Sequence, residues 1–208
     1  MKRLIILCLG LLLGGQAFGY PKHWWKEVPK DKLQWWEVSP HTAGKGEVVL
    51  SKRNELGVLS NFAATPFIYN GKKYATVEGL WQSMKYPEGP EDERWKWGKW
   101  PYTRAEVEQM DGHAAKKAGD FASDLMKKKN ANWVTYRGKK MVYRTKVRGE
   151  HYKIIRQAME AKFKQNEKVR KVLSATGKLR LKADHTVSPA DPPAWKYYQI
   201  WTEIRHKL

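Results

Sequence analysis

The sequence predicts an α+β domain, mainly helical, with a small β-hairpin near its N-terminal end. Three observations lead there. Helix-capping residues recur at Thr76, Thr103 and Asp111, each ahead of a stretch that can continue as helix. Asn70-Gly71 sits between two short strand-forming runs, the strongest short-range signal for a hairpin turn. The chain has 208 residues of which 41% are hydrophobic, enough for one folded domain with a sizeable core.

In chain order, the first element is a leader. Lys2 and Arg3 precede an apolar run from Leu4 to Leu13, and Ala17 and Gly19 supply small residues before Tyr20. This is the pattern of a secretory signal peptide over residues 1–19, and its run is shorter than the roughly 20 residues needed to span a bilayer. Cleavage there predicts an exported protein, periplasmic or secreted, without stable membrane insertion. It would also remove Cys8, the only cysteine, which excludes a disulfide scaffold and suits an oxidising compartment.

Residues 20–46 read as a Trp-rich arm, with Trp24-Trp25 and Trp35-Trp36 set among Pro21, Pro29 and Pro40. Exposed Trp pairs can stack on sugars or bases, or they can pack down on the domain as a clasp. Residues 47–208 form the expected domain. A strand is predicted at Val48 to Ser51, and hairpin arms at Phe67 to Tyr69 and Lys73 to Ala75. Helices follow from Thr76 to about Tyr86, from the Thr103/Glu106 capping box, and from Asp111 to about Met126. Two more are expected at about Gly138 to Lys164 and at Glu167 to Ala175, with Gly177 as the stop. From Lys178 onward, Ser188-Pro189 and Pro192-Pro193 predict mostly irregular chain wrapped on the body.

The net charge is +19, and loss of Lys2 and Arg3 with the leader lowers it by only two. A surface this basic favours anionic partners: nucleic acid, phosphorylated metabolites or anionic envelope polymers. It can also be no more than the solvated faces of basic helices. No metal site is expected, because the six histidines are scattered and none is paired at i, i+4. No glycine loop of the dinucleotide or Walker type and no serine-nucleophile motif is present, so no cofactor is expected either.

The helix from Thr76 is the most informative element. Glu78, Gln82 and Lys85 follow i, i+4, i+7 spacing and line one face, while Val77, Leu80, Trp81 and Met84 fill the rest. A polar stripe on so apolar a helix faces a wet cleft, or belongs to an ordinary amphipathic helix. In the first case Glu78 is a candidate base, Gln82 can orient a nucleotide-like substrate, and Lys85 can hold the carboxylate ionised or bind phosphate.

Several segments then resemble one known family in the expected order. They are Glu55-Leu-Gly-Val-Leu-Ser-Asn-Phe62, the stretch Phe67 to Lys85 with Thr76-Val-Glu78 and Gln82, Asn132-Trp133, Lys140-Met141, Lys162 to Asn166, and Leu173 to Gly177. Over most of the chain from about residue 48, the sequence is similar to the NADAR, or YbiA-like, family of N-glycosidases. There are two departures. The His expected after the helix glutamate is Gly79, and the closing motif is approximated by Asp184, Asp191 and Trp195, with Lys196 in place of Gly.

The resemblance implies a YbiA-like single domain that hydrolyses a ribose C–N glycosidic bond, with phosphorylated ribosylamino-pyrimidines of riboflavin synthesis as substrates. Bond breaking of this kind develops oxocarbenium-like charge on the sugar, so carboxylates are needed. Glu78 is implied as the catalytic base, with Asp191 as second carboxylate or ribose ligand, and Asp184 as the alternative for that position. Trp133 and Trp195 would stack on the base or close the cleft, unless they are plain core. Lys85 and Lys140 would meet phosphate, and Asn61 with Phe62 would form part of the wall. An exported protein fits poorly with cytoplasmic intermediates, so two alternatives stand beside this reading. One is release of ADP-ribose from modified guanine in nucleic acid; the other is an inactive basic, Trp-rich module binding nucleotides, nucleic acid or glycans, which the change at Gly79 would favour.

Overall fold

The computed structural model describes residues 19–207. The expected leader, with Cys8, therefore lies almost wholly outside the described residues. Among the described residues, six α-helices and three two-stranded sheets make the α+β, mainly helical fold that the capping pattern predicts. Among the described residues no helix is long and apolar enough to cross a membrane.

The arm comes first and is not a uniform clasp. Its first Trp pair packs down: Trp24 is 1% exposed and donates to Glu55 at 2.6 Å, while Trp25 donates to the Glu47 carbonyl at 2.9 Å. The second pair behaves differently, with Trp35 94% exposed. Strand β1 (Glu47–Val49) then pairs in parallel with β6 (Arg180–Lys182), Val48 opposite Leu181. The tail from Lys178 is thus not mostly irregular. Beyond β6 it ends in helix α6 (Tyr197–Arg205), whose Tyr197, Ile200, Trp201 and Ile204 are buried at i, i+3, i+4, i+7 spacing.

Strands β2 (Phe67–Tyr69) and β3 (Lys72–Tyr74) form the expected hairpin, with Asn70 and Gly71 both at positive φ as its turn requires. Helix α1 (Val77–Ser83) is capped by Thr76, whose hydroxyl accepts the Gly79 amide at 2.8 Å. Helix α2 (Arg104–Glu108) carries the capping box, and Asp111 caps α3 (Gly112–Lys128). The helix expected over 138–164 is corrected in its first third. Strands β4 (Trp133–Tyr136) and β5 (Lys139–Val142) make a second hairpin there, turning through Arg137 at φ 52° and Gly138 at φ 74°. Helix α4 (Glu150–Gln165) starts only after Gly149, and α5 (Glu167–Ala175) follows as expected.

One large core joins most of these, and Val107 of α2 packs with Tyr86 and with Ala118 and Ala122 of α3 in a second, smaller one. The consequence of the large core for the site lies in how the 59–62 loop is held. Trp201 of α6 donates to the Leu59 carbonyl at 2.6 Å, Lys162 of α4 to the Ser60 carbonyl at 2.7 Å, and the Glu78 amide of α1 to the Asn61 carbonyl at 2.9 Å. Burial pulls the Lys162 ammonium down to about 7, so this fully enclosed lysine can serve as a neutral donor near neutral pH. Three helices therefore fix Asn61 and Phe62 against α1.

Candidate active site

A cavity of about 610 Å³ opens between α1, α3, the 59–62 loop, the tail and the second half of the arm. That is the size of a small-molecule site. Seven of the ten residues expected from sequence line it: Asn61, Phe62, Glu78, Gln82, Lys85, Asp184 and Trp195.

The polar stripe of α1 faces this cavity and extends into the turn that ends the helix. Glu78 is only 6% exposed, and its carboxylate accepts the Gln82 amide at 2.6 Å. Gln82 fits because α3 presents Gly119 at the contact: a Cβ there would fall on the Gln82 side chain. Lys85 reaches across to the same helix, donating to Ser123 at 2.8 Å and to the Gly119 carbonyl at 3.2 Å. Its ammonium also lies 5.1 Å from the centre of the Tyr143 ring. The amide oxygens of Asn61 and Gln82 and the Trp195 indole N–H are buried without partners among the described residues. All three side chains line the cavity, although the Gln82 oxygen itself is packed against Gly119.

Three carboxylates line the cavity; exposed Asp120 is paired with Lys116, and the two buried ones, Glu78 and Asp184, are perturbed in opposite directions. Burial pushes the Glu78 carboxyl above its ordinary range, with Gln82 and the Lys85 charge only partly offsetting it. Burial also acts on Asp184, 2% exposed, but its bonds to His185 and Lys52 outweigh it and hold the group low. Tyr197 donates to Asp184 at 3.0 Å and His185 lies 3.0 Å away on the same oxygen, while Lys52 pairs with the other. Burial lowers the Lys85 ammonium to about 8, against the pull of Glu78, and raises the Tyr143 phenol to about 12. The site thus pairs a carboxyl that holds its proton more tightly than usual with one held in its ionised form, an arrangement suited to dividing acid–base work.

Three expected site residues lie elsewhere. The Asp191 carboxylate accepts the Ser188 amide at 2.7 Å within its own loop and does not line the cavity, whereas Asp184 does. Trp133 packs against Trp97 at 5.5 Å with the Lys140 ammonium 3.7 Å above its ring. Lys140 is paired with exposed Glu93 at 2.8 Å. Both belong to the second hairpin, whose unforeseen turn carries them to a separate aromatic and cationic cluster. Position 79 also reads differently. A Cβ on Gly79 would lie 3.1 Å from the Val107 and Glu108 carbonyls of α2, so this glycine allows α1 and α2 to meet closely and the cavity loses no polar group there.

Several lining residues had no signal along the sequence. Lys52, Tyr143 and Arg144 come from loops and strand ends, and Trp36 comes from the arm. The Arg144 guanidinium makes no ion pair among the described residues and lies 5.8 Å from the Trp195 ring. Its main chain is clamped by Asn132, whose amide oxygen accepts the Arg144 N–H at 2.8 Å and whose amide nitrogen donates to the Arg144 carbonyl at 2.9 Å. Behind the wall, His151 packs edge-on to Trp81 and Tyr143, and burial drops its pKa to about 3, keeping it neutral. Among the described residues no three His, Asp or Glu side chains are grouped to hold a metal ion.

No family model and no curated protein matches the chain. Among solved structures, the chain is similar to the NMR structure of the E. coli protein YbiA, at 22% identity and a TM-score of 0.49, over 84% of this chain and 89% of that one.

Proposed function

We propose that this cavity hydrolyses the C–N glycosidic bond of a phosphorylated ribose N-glycoside. The observation that carries the reading is Glu78: an enclosed carboxyl with a raised pKa, bonded to Gln82 and facing a buried lysine, with ionised Asp184 in the same cavity. The substrate class follows the NADAR resemblance of the motifs around Asn61, Glu78 and Gln82, which favours ribosylamino-pyrimidine phosphates.

The chemistry balances without a cofactor. As the C1′–N bond lengthens, its electron pair leaves with the nitrogen and positive charge grows on the ribose ring. The Glu78 carboxylate stabilises that charge and takes a proton from the water whose oxygen bonds to C1′. The departing nitrogen takes up the proton that Glu78 received from water, so the carboxylate is restored and the products are the free amine and phosphorylated ribose. Asp184 acts at one remove: it holds Lys52 and His185 in place while remaining ionised. Arg144, with no carboxylate to compete, and Lys52 are the groups offered to the phosphate. Phe62 and Trp195 supply flat walls for the leaving base. We place this activity outside the cytoplasm on the strength of residues 1–19 alone.

The test is a panel of a ribosylamino-pyrimidine phosphate, its dephosphorylated form, and an ADP-ribosylated guanine oligonucleotide, with products separated by chromatography. The expected result is release of base and ribose phosphate from the first, at least about tenfold faster than from the second, because a charge-assisted phosphate contact is worth more than 1.4 kcal/mol, or one factor of ten. Binding of the panel with no cleavage of any member would leave a binding module instead.

A further inference from the structure

The arm contributes a second recognition surface at the mouth of the cavity. Trp35 and Trp36 both border it, yet Trp35 is 94% exposed. A tryptophan so fully in water is unusual, since large apolar side chains seldom stay exposed without a partner. Trp35 is nevertheless set on well-anchored chain. Val38 donates its amide to the Asp184 carbonyl at 2.9 Å, Glu37 forms a bridge with His185, and Arg53 grips the Glu37 carboxylate with Nη2 at 2.6 Å while also bonding the Lys32 carbonyl. The platform is thus tied to the residue that holds Lys52.

The surroundings are cationic. Lys52 lies 5.1 Å from the Trp36 ring centre and 5.3 Å from that of Phe62, and Arg144 borders the same opening. Backbone phosphates and flat bases are the chemistry that complements a stacking face among cations, and the chain's net charge of +19 draws a polyanion. A cavity of about 610 Å³ holds a single nucleotide-like group, so a ring stacked on Trp35 belongs to the next one along.

We infer that the Trp35–Trp36 platform binds single-stranded nucleic acid, stacking the base adjacent to the nucleotide that enters the cavity. The inference rests on the reading of the cavity as a nucleotide-like site, but its test needs no turnover. Fluorescence anisotropy would follow a labelled oligothymidylate and a labelled oligouridylate of about twelve residues, with ribose 5-phosphate titrated in parallel. The expected result is that one or both strands bind, more weakly as salt rises, and that Trp35→Ala weakens strand binding about five- to hundredfold, the range for loss of one base–aromatic stack. Trp35→Tyr should restore most of the loss, and the preference for strand over ribose 5-phosphate should fall with Trp35→Ala. Strand affinity unchanged in Trp35→Ala, or neither strand bound, overturns the inference. If the panel goes uncleaved while strand binding depends on Trp35, the hydrolytic reading fails and this one stands. Ribose phosphate release without any Trp35 effect on strand binding sinks this one alone.

Discussion

Glu78→Gln lowers kcat by about two to four orders of magnitude, the range expected when a positioned acid–base group is lost, and leaves affinity for ribose 5-phosphate within about threefold. The substitution is nearly isosteric, and Gln82 can still bond the new amide, so the cavity keeps its shape. It does remove the group that receives the proton of water and faces the developing charge. Folding should not suffer. Glu78 is buried with a raised pKa, so its ionised form costs stability, and a neutral amide removes that cost. Steady-state kinetics with thermal melts on the same samples check the split: kcat down, melting temperature equal or higher. Equal loss of affinity and kcat, or a lower melting temperature, would mark Glu78 as structural.

The second large effect is in the pH profile. A base must be ionised, and burial lifts Glu78 above its ordinary value, so kcat/KM rises with pH through a limb displaced above the usual carboxylate range. Lys85, which favours the ionised form of Glu78 as long as it is charged, titrates near 8, so the alkaline limb falls there. Each limb changes the rate about tenfold per pH unit away from its midpoint. Lys85→Met removes the charge that lowers the Glu78 pKa; the acid limb must then move to higher pH and the limb near 8 must vanish. Rates between pH 4 and 10 for both proteins decide it. An acid limb that moves down, or an alkaline limb retained in the variant, contradicts the coupling of these two groups.

What could be read from the sequence was local. The caps at Thr76, Thr103 and Asp111, the Asn70-Gly71 turn and the row Glu78, Gln82, Lys85 all depend on contacts within a few residues, and each is found where the local rules put it. The errors arise where distant chain decides. Pairing of β1 with β6 joins residues about 130 apart and cannot be seen in either segment alone. The i, i+3, i+4, i+7 row of Tyr197, Ile200, Trp201 and Ile204 was visible, but the prolines before it drew the tail toward irregular chain. The Arg137-Gly138 turn lacks the usual Asn-Gly signature, since an arginine takes the left-handed position there, and the missed hairpin misplaced Trp133 and Lys140. Lys52, Tyr143 and Arg144 reach the cavity only through tertiary folding, so no spacing rule reveals them.

Cleavage of a ribose C–N bond at Glu78 can be observed in a single catalytic cycle. The measurement is single turnover, with protein in excess over a ribosylamino-pyrimidine phosphate and the products resolved by mass. The expected result is free base and ribose phosphate in equal amounts from the natural protein, and intact, bound substrate with Glu78→Gln. Intact substrate bound to both proteins, or loss of phosphate with the glycosidic bond unbroken, would contradict it.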